Sequence, residues 1–210
     1  MFAERRRGDR WEKVGAEFPS EYKEGEKTDE PYEGRNYRLF GFLADVRNGS
    51  GFGGIDTGDA VKPIAMPRGV PDDASPEYKE IVDEWDSDGH SHSWLTLKEL
   101  READWDTTLT LRGIVPGEVY DYLKDIEENP KSWSGDISGH GVQVVEEEEW
   151  QKMPWPIRQN GMRNGLRWYV RMQWHEKMRD LASDFLDKTI PMLGLLGEDE
   201  DVRVVFFFDN

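Results

Sequence analysis

The sequence predicts an α+β protein in which a mixed or antiparallel sheet packs with several helices, one of them long and near the C-terminus. Three observations predict it. Alternating or continuous apolar runs at 2–16, 107–115, 141–146 and 202–208 read as strands. Helix starts are marked by Ser75-Pro76-Glu77 and by the capping box Thr96-x-x-Glu99. The two kinds of element are interspersed without a regular βαβ alternation, repeat or heptad pattern. Aromatic residues reach 12%, nine Trp among them, so a core can be built despite 34% charged residues. A length of 210 residues suits one domain. Residues 1–35, a hairpin and a loop, are the part that could stand as an appendage.

Taken in order, residues 2–7 and 10–16 form a hairpin around Gly8-Asp9, anchored by Trp11 and Val14. Residues 19–35 are polar and rich in breakers, a loop. The apolar segment 37–47 is expected as a largely buried strand. From 49 to 71, six glycines and three prolines leave no periodicity, so a long loop is expected. A helix over 75–85 buries Tyr78, Ile81, Val82 and Trp85. A turn at 86–89 leads to His90, and a short helix runs from 96 to near 105. A strand at 107–115 precedes an amphipathic helix over 118–128, closed by Asn129-Pro130. A strand at 141–146 opens into the acidic run Glu146-Glu147-Glu148-Glu149. The longest helix is expected over 162–188, stopped by Pro191, and a last strand lies at 202–208.

The chain has no cysteine, which excludes disulfides, thiolate metal sites and a Cys nucleophile and suits a reducing cytoplasm. Its basic start is followed by no apolar segment of the kind a secretory signal needs. The longest apolar run, 204–208, is far too short for a bilayer. A net charge of −17 argues against duplex nucleic acid and membrane surfaces as partners. The same charge would allow mimicry of nucleic acid towards a DNA-binding protein, with the 146–149 run as the contact.

Against that background, residues 152–179 hold seven basic side chains and one acidic, a local +6 that leaves −23 for the rest. Arg163, Arg167, Arg171, His175 and Arg179 recur every four residues, one position after the apolar series Leu166, Val170, Trp174, Met178. On a helix such a row edges the buried face. Two readings are open. The chain's own carboxylates neutralise the row, or the guanidinium forks, with Arg158 and Arg47, take phosphate oxygens while Trp94, Trp168 or Tyr37 stacks a base.

Asp88-Gly89-His90-Ser91-His92-Ser93 is the densest group of chemically able side chains. A turn would let His90 and His92 converge, as at the start of a metal site, but the further ligands of a catalytic centre are missing from the pattern. Ser91 beside His90 or His92 lacks a Gly-x-Ser-x-Gly elbow. Helix capping or anion capture by the turn is the expectation, with no catalytic residue, metal or cofactor. The run Asn48-Gly49-Ser50-Gly51-Phe52-Gly53-Gly54 lacks the Gly-Lys-Ser/Thr ending of a phosphate-binding loop.

Three phrases carry a resemblance: Arg35-Asn36-Tyr37 through Asn48, Asp88-Gly89-His90-Ser91-His92-Ser93-Trp94-Leu95-Thr96-Leu97, and Asp201 through Asn210. They resemble a family of small bacteriophage accessory proteins, across nearly the whole chain. The resemblance carries over no catalytic residue. It implies a viral, non-virion protein acting in the host cytoplasm, with an anti-defence role by analogy of context. The expected function is that of a sponge, which binds a small anionic nucleotide signal of bacterial immunity without cleaving it. A site between protomers of a homo-oligomer would suit such a role. The alternatives are a His-dependent nucleotide phosphoesterase and an acidic inhibitor of a host protein. The ligand-binding residues expected are Arg47, His90, Ser91, His92, Trp94, Arg158, Arg163, Arg167, Trp168 and Arg171.

Overall fold

The computed structural model describes residues 1–159, 162–163 and 165–209, with the backbone alone at 159, 162 and 163. The chain divides into two compact units, one of 1–48, 61–107 and 178–210 and one of 49–60 and 108–177. Both contain sheet and helix, an α+β architecture.

In the first unit, β1 (Phe2–Arg7) and β2 (Arg10–Lys13) form the expected hairpin. β1 also pairs with β10 (Val202–Phe208), which pairs on its other side with β5 (His90–Thr96). The order is β2-β1-β10-β5, antiparallel throughout. A short pair, β3 (Phe18–Pro19) and β4 (Lys27–Thr28), braces the loop that follows. β10 is covered on both faces, which is why its sequence reads as an unbroken apolar run. Against one face, Val205 and Phe207 pack with Phe2, Ala74 and Tyr78. Tyr78 is carried by α2 (Pro76–Trp85), whose cap Ser75 accepts from the Tyr78 amide at 3.2 Å. Glu4, fully buried, accepts from the Ser75 amide at 2.7 Å and from Arg203 at 2.7 Å. Asp73 accepts from the same guanidinium at 2.8 Å. This buried net fixes the entry to α2 on the sheet.

Against the opposite face, Phe208 meets Phe40 of α1 (Tyr37–Ala44) at 4.9 Å between ring centroids. α3 (Leu97–Glu102) begins with the capping box foreseen at Thr96 and Glu99. α7 (Met178–Leu181), a π-helical stretch at Phe185–Thr189 and α8 (Ile190–Gly194) complete the unit.

In the second unit, β9 (Leu166–Lys177) is the central strand. It pairs antiparallel with β6 (Thr108–Pro116), parallel with β7 (Val142–Glu146) and antiparallel with the short β8 (Met162–Arg163). α4 (Gly117–Ile126) buries Tyr120 and Leu123, and α5 (Glu147–Lys152) buries Trp150. Gly117 is required where α4 starts, because a Cβ there would lie 2.4 Å from the Trp150 ring. α6 (Trp155–Gln159) follows, tied to α4 by Arg158 and Asp121 at 3.8 Å.

Two expected elements are corrected. The segment 37–47 is not a strand. Asn36 caps a helix there, accepting from the amides of Arg38 and Leu39 at 3.0 and 3.1 Å. Leu39, Phe42 and Leu43 are buried at the i, i+3, i+4 spacing of a helix face. Nor does a long C-terminal helix run from 162 to 188, since helix begins only at Met178. The four-residue spacing of the arginines fits a strand as well as a helix, four being a multiple of two. The deciding signal is strict alternation. Val170, Met172 and Trp174 are buried, while Arg167, Gln173, His175 and Lys177 are exposed.

Candidate functional site

The expected ligand residues fall in both units. Arg158, Arg163, Arg167, Trp168 and Arg171 belong to the second, and Arg47, His90, Ser91, His92 and Trp94 to the first. The Arg163 side chain lies outside the described residues.

In the second unit, Arg167, Arg171 and His175 do share one face of β9, and part of the basic charge of this segment is met by the chain's own carboxylates. Arg171 Nε lies 3.4 Å from Glu146, and Arg158 pairs with Asp121. The groove beside them, about 920 Å³, is lined by Arg112, Lys152 and Arg171 but also by all four glutamates of 146–149. Arg112 is further held by Asp56 at 3.1 Å and by Asp59. Arg167 is exposed and makes no ion pair among the described residues. Trp168 follows Arg167 on the strand and so faces the other side of the sheet, away from the arginine row. Residues 146–149 are neutralised in part by the chain itself. Burial alone would raise the Glu147 carboxyl, but the Gln173 amide, Lys124 and the Tyr120 hydroxyl outweigh it and hold the group below its usual range. Arg179, the last of the four-residue series, belongs to the first unit and pairs with Asp106 at 3.5 Å.

In the first unit, the segment that follows the expected turn at 86–89 is the start of β5, and it is irregular. Ser91 adopts φ 52°, and the register with β10 shifts between Phe206 and Phe208. In a regular strand His90 and His92 would share a face. Here His90 lies 6.2 Å from Phe208 and His92 lies 5.3 Å from Phe207, rings that alternate along β10. The imidazoles thus pack on successive rings of β10, near enough for His90 to bear on the charge of His92. His90 Nδ1 and Ser91 Oγ are 3.0 Å apart. Desolvation pushes the His92 pKa down, which favours the neutral ring. Trp94 is occupied by its own chain, with the Arg68 guanidinium 4.7 Å from its ring while Glu99 grips the same Arg68 at 2.6 Å. The described residues hold no group of three or more His, Asp or Glu placed to share a metal ion.

Arg47 is placed differently. A cavity of about 470 Å³ opens where β10 runs past the start of β1. Its aromatic walls include Tyr32, Tyr37, Phe40, Trp85, Phe207 and Phe208. Arg35 and Arg47 line it together with Glu30, Glu33 and Asp209. Arg47 sits 4.8 Å over the Tyr37 ring. Its backbone is left-handed at φ 51°, a conformation that costs a non-glycine residue about 1–3 kcal/mol. Asp45, also left-handed, is explained as the α1 cap, since its amide donates to Gly41 O at 2.9 Å. The segment is fixed by Asn48, whose side chain exchanges two hydrogen bonds with the Val61 backbone at 2.6 and 2.8 Å. Of the carboxylates, Glu33 is engaged by Ser20 and by the Glu21 amide, and Asp209 is 3.8 Å from Arg35. Burial first, then nearby acids, pushes the Tyr32 hydroxyl up to about 12, so it stays a neutral phenol.

Arg35, Tyr32, Trp85, Phe207 and Phe208 were not among the expected ligand residues. They come from separate stretches of chain and share no spacing that a linear reading could detect. Comparison with known proteins adds no relative: no family model, no curated protein and no solved structure matches the chain.

Proposed function

We propose that the protein is a non-catalytic binder of a small, planar, phosphate-bearing molecule of the nucleotide class, held in the aromatic cavity of the first unit. The observation that carries this reading is Arg47, held in a left-handed backbone with its guanidinium against the Tyr37 ring at the cavity wall. A cavity of about 470 Å³ lies within the range that small ligands occupy. Aromatic walls offer a base faces to stack on, and Arg35 and Arg47 offer forks to phosphate oxygens. Glu30, 3.9 Å from the Met1 ammonium that lines the same cavity, would accept from an exocyclic amine or a sugar hydroxyl with its remaining lone pairs. The resemblance to phage accessory proteins supplies the biological reading, sequestration of a nucleotide signal of bacterial immunity in the host cytoplasm.

Calorimetry with cyclic dinucleotides and ADP-ribose derivatives tests it. Binding by the intact chain that is lost in Arg47→Ala and kept in Arg167→Ala supports the cavity. Binding lost in Arg167→Ala and kept in Arg47→Ala moves the site to β9 and refutes this reading, as does silence across the panel.

A second reading, hydrolysis, is favoured by one observation. Ser91 Oγ lies 3.0 Å from His90 Nδ1 in a strained segment, and that ring neighbours Phe208 of the cavity wall. Recovery of the bound nucleotide unchanged after prolonged incubation rejects it and leaves the first reading standing.

A further inference from the structure

α4 carries more apolar surface than its own unit uses. Its inner face buries Tyr120 and Leu123. Val119, Tyr122 and Ile126, spaced i, i+3, i+7, form a second apolar stripe that stays exposed, Tyr122 at 62%. Glu118, Asp121 and Asp125 repeat the same spacing one position earlier, so an acidic stripe runs beside the apolar one. Beyond the helix, Glu127 and Glu128 add two exposed carboxylates. Asp121 is engaged by Arg158 and by the Trp150 indole. Glu118, Asp125, Glu127 and Glu128 form no ion pair among the described residues. Asp125, Glu127 and Glu128 also crowd the negative end of the helix dipole, where carboxylates are disfavoured and cations are stabilised. An apolar stripe bordered by uncompensated acid calls for a surface of the opposite kind.

We propose that the outer face of α4 docks a basic amphipathic helix of a partner protein. The partner's apolar side would lie on Val119, Tyr122 and Ile126, and its Lys or Arg row on Glu118 and Asp125. Charge complementarity selects this occupant. A second copy of the chain would bring two acidic stripes together, and an anionic membrane would be repelled by the same stripe.

The test uses the full chain and a labelled 18-residue Leu/Lys amphipathic peptide, a scrambled peptide of the same composition and a Leu/Glu analogue, followed by fluorescence anisotropy. The variants are Tyr122→Ser with Ile126→Ser, and Glu118→Lys with Asp125→Lys. Glu77→Lys with Glu84→Lys on α2 controls for bulk charge. Both α4 variants should weaken the Leu/Lys peptide by about tenfold or more, with the α2 control staying within about twofold. The scrambled and Leu/Glu peptides should bind no better than the α4 variants do. Equal binding of the scrambled peptide, equal loss in the α2 control, or intact binding in both α4 variants overturns the proposal. A dimer of the chain alone that dissociates with Tyr122→Ser, seen by sedimentation, or adsorption to anionic vesicles through this face, overturns it as well.

Discussion

The arginines of β9 and the arginine at the end of α1 make an instructive pair. By sequence the 152–179 segment is the basic region, with a local +6. In the fold Arg171 and Arg158 meet Glu146 and Asp121, and the adjoining groove holds as many carboxylates as a tetra-glutamate run can supply. Arg47 stands alone in sequence, yet it lines an aromatic cavity with its guanidinium over Tyr37. Local charge count measures how many cations a segment has. Packing decides which of them line a cavity with aromatic walls.

The comparison can be broken most severely at the buried ion pair, where the largest effect is expected. Arg203→Ala strands Glu4, which is fully buried, and should destabilise the first unit by about 3–5 kcal/mol. Arg171→Ala removes an exposed pair and should cost at most about 1 kcal/mol. Denaturant titration measures both, and a reversed order would refute the burial argument.

Next in size is Gly117→Ala. Its Cβ would press into the Trp150 ring, and overpacking of that kind costs about 1–3 kcal/mol. The loss should appear as a lowered Tm of the second unit, with Trp150 fluorescence reporting it.

At the cavity, Arg47→Ala should weaken nucleotide binding roughly 10- to 100-fold, the worth of a hydrogen bond to a charged group, while Arg167→Ala should leave it within about twofold. The same calorimetric series separates the two regions directly.

The smallest effect is on acid stability. Burial raises Glu99, but Arg68 and the Thr96 amide outweigh it, so its folded pKa lies below 4.5. Glu147 in the second unit behaves alike. Folded pKa values below the unfolded ones mean that these carboxylates stabilise the fold above about pH 5, and that this is lost as pH falls through 4.5 and below. Glu99→Gln and Glu147→Gln should each lower Tm at pH 7 and flatten its decline towards pH 4. An unchanged slope in thermal scans would contradict the pairing.

Where local rules act alone, the elements were legible. Ser75-Pro76 and Thr96-x-x-Glu99 announced α2 and α3 through backbone caps that need no tertiary partner. The final strand was legible because both faces of β10 are covered, which leaves a continuous apolar run. Residues 37–47 misled because Phe and Leu crowd positions that also suit a buried strand, whereas Asn36 and the buried set Leu39, Phe42 and Leu43 carried the helical signal. The β9 segment misled because its arginines repeat at a spacing common to both periods. Of the expected ligand residues, Arg47 and its stacking neighbour Tyr37 line the cavity. The other walls, Tyr32, Trp85 and Phe208 among them, meet only through the sheet and were beyond any linear pattern.

Photo-crosslinking locates the ligand most directly. An azido-adenine nucleotide, irradiated with the full chain and mapped by mass spectrometry, should label peptides containing Tyr32, Tyr37, Trp85 or Phe207 and should be displaced by unlabelled ligand. Competable labelling confined to residues 158–177, with the cavity peptides clean, would contradict the assignment of the site to the first unit.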